Sequence, residues 1–204
     1  MKYQVPQNIK LIIGLGNPES QYGQTYHNAG FLFINKMSDY GKFKNNKNFE
    51  YLKINGLIFI KPLVFMNESS KAVFAAMKYF KAKPEEILIV HDDSDIEIGK
   101  FKISFGRGSA GHNGVESIIK SLKTKDFWRL RIGIRPQKSK QKAEKFVLKK
   151  ISKKDLKKNC TPAPEAAVPT DWRCRTSRAA LWSAILLRRP ARFTRAGVGP
   201  WCRS

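Results

Sequence analysis

Five side chains carry most of the chemistry this sequence offers: His27, Asp92 and the asparagines Asn17, Asn67 and Asn113. The asparagines each stand just past a segment that reads as a β-strand. His27 lies in Thr25-Tyr26-His27-Asn28-Ala29-Gly30, at the expected start of a helix through Phe31, Ile34 and Met37, with Thr25 as its cap. A lone histidine is more often structural. One at a helix start, beside asparagines and with carboxylates available, is a better base candidate. No serine or cysteine stands in a nucleophile motif such as G-x-S-x-G, and no Cys/His cluster has metal-ligand spacing. Histidine oriented by a carboxylate, without a side-chain nucleophile, suggests a base acting on water. Amides can position that water and donate to a developing oxyanion. Such chemistry suits an activated acyl ester better than an unactivated amide.

The segments that must position these groups centre on residues 87–114. Residues 87–90, Ile-Leu-Ile-Val, read as a buried strand leading out into His91 and the carboxylates Asp92, Asp93 and Asp95. Residues 100–105 alternate as a strand with one wet face, and glycines 106, 108, 111 and 114 then frame His112 and Asn113. Ligands of open α/β sheets bind outside the carboxyl ends of strands, which favours a site here over a merely solvated acidic turn. Gly106-Arg107-Gly108-Ser109-Ala110-Gly111 also matches the dinucleotide-binding pattern. That reading is weak. The preceding strand is not buried, and no acid stands about 20 residues on to bind a ribose.

Elsewhere the chain alternates strands and helices. Residues 9–15 form an apolar strand. Asn55-Gly56 joins two strands as a hairpin. A helix is expected over 71–80 with Ser69 or Ser70 as its cap, and another over 115–122. Residues 129–134, RLRIGI, alternate with Arg129 and Arg131 on one face. The pattern predicts a single α/β domain with a mixed, twisted sheet flanked by helices.

The chain has 204 residues and a net charge of +23, from 39 Lys and Arg against 16 Asp and Glu. That favours a polyanionic partner, nucleic acid before membrane, although a uniformly lysine-rich surface would give the same number. The basic residues change kind along the chain. Residues 1–159 hold all 27 Lys and four Arg; residues 160–204 hold no Lys, eight Arg, all three Cys and three of four Trp. Pro162, Pro164 and Pro169 open this second part. The expected division is a catalytic domain over 1–159 and an Arg/Trp/Pro-rich tail over 160–204 that is disordered or out of frame, the competing reading being a basic arm for RNA. Residues 1–10 lack the apolar core of a secretory signal, and the first 159 residues lack cysteine, which fits a cytoplasmic protein.

The segments GLGNPESQYGQTYHNAG, KPLVFMNESS, HDDSDIEIG, GRGSAGHNG and FWRLRIGI, in this order over residues 9–158, resemble the signatures of bacterial peptidyl-tRNA hydrolase. The resemblance implies a metal-free, cofactor-free and usually monomeric α/β enzyme that cleaves the ester joining a peptide to tRNA. It implies His27 as catalytic base, Asp92 as its partner, and Asn17, Asn67 and Asn113 as orienting substrate and water. It puts Tyr22 and Met66 in the peptide cleft with His112 beside Asn113. Lys102 and Arg131 would clamp the 5′-phosphate of tRNA. Three departures stand out: Tyr26 where the family commonly has Arg, Val64 where it often has Thr, and Ser70 where it usually has Gly. The family's closing helix would begin near Ser152 and meet the prolines at 162 and 164, leaving its second half missing. The alternative from another class is a noncatalytic relative that binds structured RNA.

Overall fold

The computed structural model describes residues 8–37, 42–136, 146–152 and 155. The tail expected from residue 160 onward lies outside them. Among the described residues, seven strands form one mixed sheet in the order β2-β3-β4-β1-β5-β7-β6. They are β1 (Leu11–Gly14), β2 (Lys44–Asn45), β3 (Phe49–Ile54), β4 (Leu57–Pro62), β5 (Ile87–Glu97), β6 (Phe101–Phe105) and β7 (Trp128–Arg135). The centre, β4-β1-β5-β7, is parallel, and the pairs β2-β3, β3-β4 and β6-β7 are antiparallel. Helix α1 (Ala29–Met37) covers one face; α2 (Ser69–Phe80) and α3 (Asn113–Leu122) cover the other.

The sheet is parallel at its centre because its strands are apolar on both faces. Leu11, Ile13, Ile87 and Ile89 pack against α2 and α3, while Ile12, Leu88 and Val90 pack against Ile34 and Met37 of α1. At Asn55-Gly56 both residues have positive φ, 49° and 79°, the twist that a two-residue hairpin between β3 and β4 requires.

Two glycines set how closely α1 approaches. A Cβ on Gly30 would lie 2.4 Å from the backbone of Leu15 and the carbonyl of Val90, and one on Gly14 would lie 2.4 Å from the Gly30 carbonyl. Backbone therefore touches backbone where α1 starts, and the residues just before α1 sit over the end of β1 and the middle of β5.

Three local expectations are corrected. The strand starting at Ile87 does not stop at Val90: β5 continues to Glu97, with Asp92 opposite Ile132 and Asp93 opposite Gly133 of β7. The carboxylates thus sit on a strand with a paired neighbour, not on a turn beyond it. Thr25 does not cap a helix with its side chain; its hydroxyl donates to the Tyr22 carbonyl at 2.9 Å. Ser69 and Ser70 begin α2 itself. Ser69 donates to the Met66 carbonyl at 2.7 Å, and Ser70 meets Ser117 across the gap to α3.

Candidate active site

The end of β1, the middle of β5, the start of α1 and the start of α3 meet near the carboxyl side of the parallel strands, where open α/β sheets place their ligands. Asp92 is nearly inaccessible. His27, in a 3-10 turn (Tyr26–Asn28) leading into α1, points Nδ1 at both Asp92 oxygens, 3.0 Å from each. A carboxylate only accepts, so Nδ1 carries the proton and Nε2 keeps a free lone pair. His27 is thereby held in the tautomer a general base needs.

A second histidine reaches the same carboxylate. His112 Nε2 lies 2.9 Å from Asp92 Oδ1, while its Nδ1 accepts the Val115 backbone N–H at 3.3 Å and so caps α3. The two contacts fix its proton on Nε2. The rings of His27 and His112 lie 4.9 Å apart, and His91 packs edge-on against His112 at 4.7 Å. Burial, with the adjacent His112 adding to it, pushes His91 well below the ordinary histidine range. His91 is accordingly neutral, its Nδ1 donating to the Asp92 carbonyl at 2.6 Å. Burial alone would raise the Asp92 carboxyl. The electrostatic pull and hydrogen bond of His112, then those of His27, overcome it and hold Asp92 well below the usual carboxylate range. Asp92 is therefore an anion with two donors on it.

The asparagines divide. Asn17 is buried and has structural partners: its Oδ1 accepts the Met66 N–H at 2.8 Å, and its backbone exchanges two 2.9 Å bonds with the Asn28 side chain. It ties the end of β1 to the turn before α2 and to the His27 turn. Asn67 and Asn113 instead line an open depression of about 530 Å³ with Ser70, Ser117 and Lys120. Ser70 and Ser117 bond to each other at 3.0 Å. Among the described residues no serine hydroxyl is seen bonded to His27, so the histidine has no paired side-chain nucleophile there. Met66 is buried, its sulfur filling the space a side chain at Gly114 would need. Tyr22 is half-buried in the short turn just ahead of Thr25.

Lys102 and Arg131 are direct register partners on β6 and β7, and Arg131 in turn pairs in register with His91 on β5. Lys102 is exposed. Arg131 is half-covered, its Nε donating to Asp93 Oδ2 at 2.6 Å. Arg129, on the same face, is buried; burial and then Arg131 pull it down to about 10, with Asp93 opposing. The two arginines share one face of β7, as expected, but only Arg131 reaches solvent.

His27, Asp92 and His112 also form the group among the described residues whose ligand atoms could hold a metal ion, lying within 4.8 Å of one another. The contacts they make are hydrogen bonds of 2.9–3.0 Å to a shared carboxylate. Sequence reasoning did not place Asn28 in the site, nor His112 on Asp92. The only signal for Asn28 was its place next to His27.

The fold and site define an α/β protein with a parallel-centred sheet and a buried histidine–carboxylate pair. The sequence model of the peptidyl-tRNA hydrolase family matches residues 11–172, past the point where the quoted motifs end. The peptidyl-tRNA hydrolase of Lactobacillus johnsonii is 47% identical over 134 residues, covering 62% of this chain and 72% of that protein. That of Coxiella burnetii is 42% identical over 151 residues, 72% of this chain and 81% of that one. The crystal structure of the Acinetobacter baumannii enzyme superposes with a TM-score of 0.68 at 35% identity, covering 78% of this chain and 84% of that chain. The chain belongs to the peptidyl-tRNA hydrolase family.

Proposed function

We propose that this protein hydrolyses the ester between peptide and tRNA in peptidyl-tRNA, releasing tRNA for reuse in translation, with His27 as general base. The observation that carries this reading is His27 Nδ1 held 3.0 Å from both oxygens of Asp92, which leaves Nε2 unprotonated. Nε2 takes a proton from water as the oxygen adds to the ester carbonyl. Asp92 stabilises the imidazolium so formed. The tetrahedral intermediate breaks its bond to the ribose oxygen, which leaves with the proton that His27 returns. Asn67 and Asn113, on the rim of the depression, orient water and ester and donate to the oxyanion; Asn17 holds the turn on which Asn67 sits. Tyr22 and Met66 form wall and floor for the C-terminal part of the peptide. His112 steadies Asp92. Lys102 and Arg131 receive the 5′-phosphate at the acceptor stem, since cations on a sheet face suit phosphate contacts.

The enzyme acts as a monomer in the cytoplasm, without metal or cofactor. No helix among the described residues is long and apolar enough to cross a membrane. The test is release of labelled peptide from peptidyl-tRNA by the purified chain and by His27→Ala. Release by the parent and not by the variant is expected; tRNA binding without release by the parent would favour a noncatalytic RNA-binding protein.

A further inference from the structure

The turn that carries His27 is not held by its own cap. Helix starts leave several N–H groups without partners, and Thr25 offers none of them its side chain. Carbonyls from far along the chain take that role. The Tyr26 N–H donates to the Lys149 carbonyl at 3.2 Å, and the His27 N–H to the Val147 carbonyl at 2.8 Å. Thr25 and Lys150 form an antiparallel bridge, and the Ile151 N–H reaches the Gln24 carbonyl at 2.8 Å. The segment over 146–152 therefore lies along 24–27 as a splint.

One side chain locks this splint. Tyr26 is buried, its ring edge-on to Phe146 at 6.0 Å. Its hydroxyl donates to Asp155 Oδ2 at 2.9 Å. The Ser152 hydroxyl donates to that same oxygen at 2.8 Å and accepts the Asp155 N–H at 3.1 Å, a Ser-x-x-Asp arrangement resembling a capping box. Asp155 is thus fixed by Ser152 and aimed at Tyr26. Burial first, then Asp155, raises the Tyr26 phenol above its ordinary range and keeps it a donor.

We propose that the Tyr26–Asp155 hydrogen bond is a latch that sets the orientation of His27, making Tyr26 and Asp155 positioning residues for hydrolysis. The inference rests on the reading of His27 as base. Tyr26 immediately precedes His27, so rotation of its backbone swings the imidazole relative to two oxygens that it now meets at equal distance. A misplacement of about 1 Å can cost roughly 100-fold in rate, and a slackened latch produces a fraction of that.

The test uses the full chain with Tyr26→Phe, which keeps the ring against Phe146, together with Asp155→Ala, Asp155→Asn and the Tyr26→Phe/Asp155→Ala double variant. Each of the first two should lower kcat by roughly 3- to 30-fold with KM for peptidyl-tRNA within about twofold. Asp155→Asn should recover most of the loss, because its amide oxygen still accepts from Tyr26. The double variant should be no slower than the worse single one, as expected for two residues acting through one contact. Turnover is normalised to folded protein from a parallel melting curve, so loss of stability alone leaves kcat unmoved. Unchanged kcat in Tyr26→Phe, a rise in KM alone, or multiplying losses in the double variant would each overturn the latch. An active His27→Ala would instead overturn the base assignment itself.

Discussion

The histidine cluster and the cationic strip on β6 and β7 lie on one sheet and are built in opposite ways. The cluster is tied by specific hydrogen bonds: Asp92 serves two histidines, His112 also caps α3, and Asn17 and Asn28 close on each other. The groups come from separate parts of the chain and have no substitutes. On the strip, Lys102 and Arg131 are neighbours in one antiparallel pair, with Arg129 beside them. Their charges are of one kind and overlap in reach. A network of specific buried contacts should fail abruptly when broken, and a set of like charges should weaken by degrees.

Substitutions can break or sharpen that contrast. His27→Ala should remove turnover by roughly 100- to 10,000-fold, the range general-base catalysis contributes, while tRNA affinity stays within about twofold. Single-turnover release measured beside filter binding checks this, and activity near the parent's would take the base role from His27. Asp92→Asn should slow release on the order of 10- to 100-fold. A carboxylate favours the protonated form of a neighbouring imidazole, so its loss should move the acid limb of the rate profile to lower pH. An unshifted limb would mean that the two residues do not act as a pair.

On the strip, Lys102→Ala and Arg131→Ala should each weaken tRNA binding only several-fold and reduce the salt slope by about one. The loss should be confined to tRNA bearing a 5′-phosphate, and equal losses on dephosphorylated tRNA would place the contact elsewhere on the backbone. Because Asp93 holds the Arg131 Nε, Arg131→Lys should fail to restore binding fully, since a lysine cannot donate to Asp93 and a phosphate in the same forked geometry. The smallest expected effect is that of a chelator. Release should change by less than about twofold, because the atoms of the potential ligand cluster are engaged in hydrogen bonds. Inactivation reversed by a divalent ion would reassign that cluster.

Much of the architecture was legible in order along the chain. The apolar run over 87–90, the Asn-Gly hairpin and the helix through Val115 and Ile118 depend on spacings of two to four residues, which sequence displays directly. The sequence also offered His27, Asp92 and the three asparagines as candidates, though Asn67 lies in a turn and Asn113 opens a helix, and neither directly ends a strand. Less visible was how far β5 runs. Its acidic half stays extended because β7 pairs with it, and β7 lies more than 30 residues away in the chain.

What the sequence by itself determined is the class of sheet, the order of its elements and the kinds of side chain at its carboxyl end. The tertiary structure decided which of those side chains meet. His27 and Asp92 are 65 residues apart, Asp92 and His112 are 20 apart, and Tyr26 and Asp155 are 129 apart. It also decided that Asn17 is a tie within the fold, and that Arg131 is paired while Arg129 is buried. The physical reason is one of range. Periodicity and turn chemistry act within a few residues, whereas a buried hydrogen-bond partner is chosen by packing. Here the close contact of Gly30 with the end of β1 and with Val90 in the middle of β5 brings the His27 turn onto Asp92.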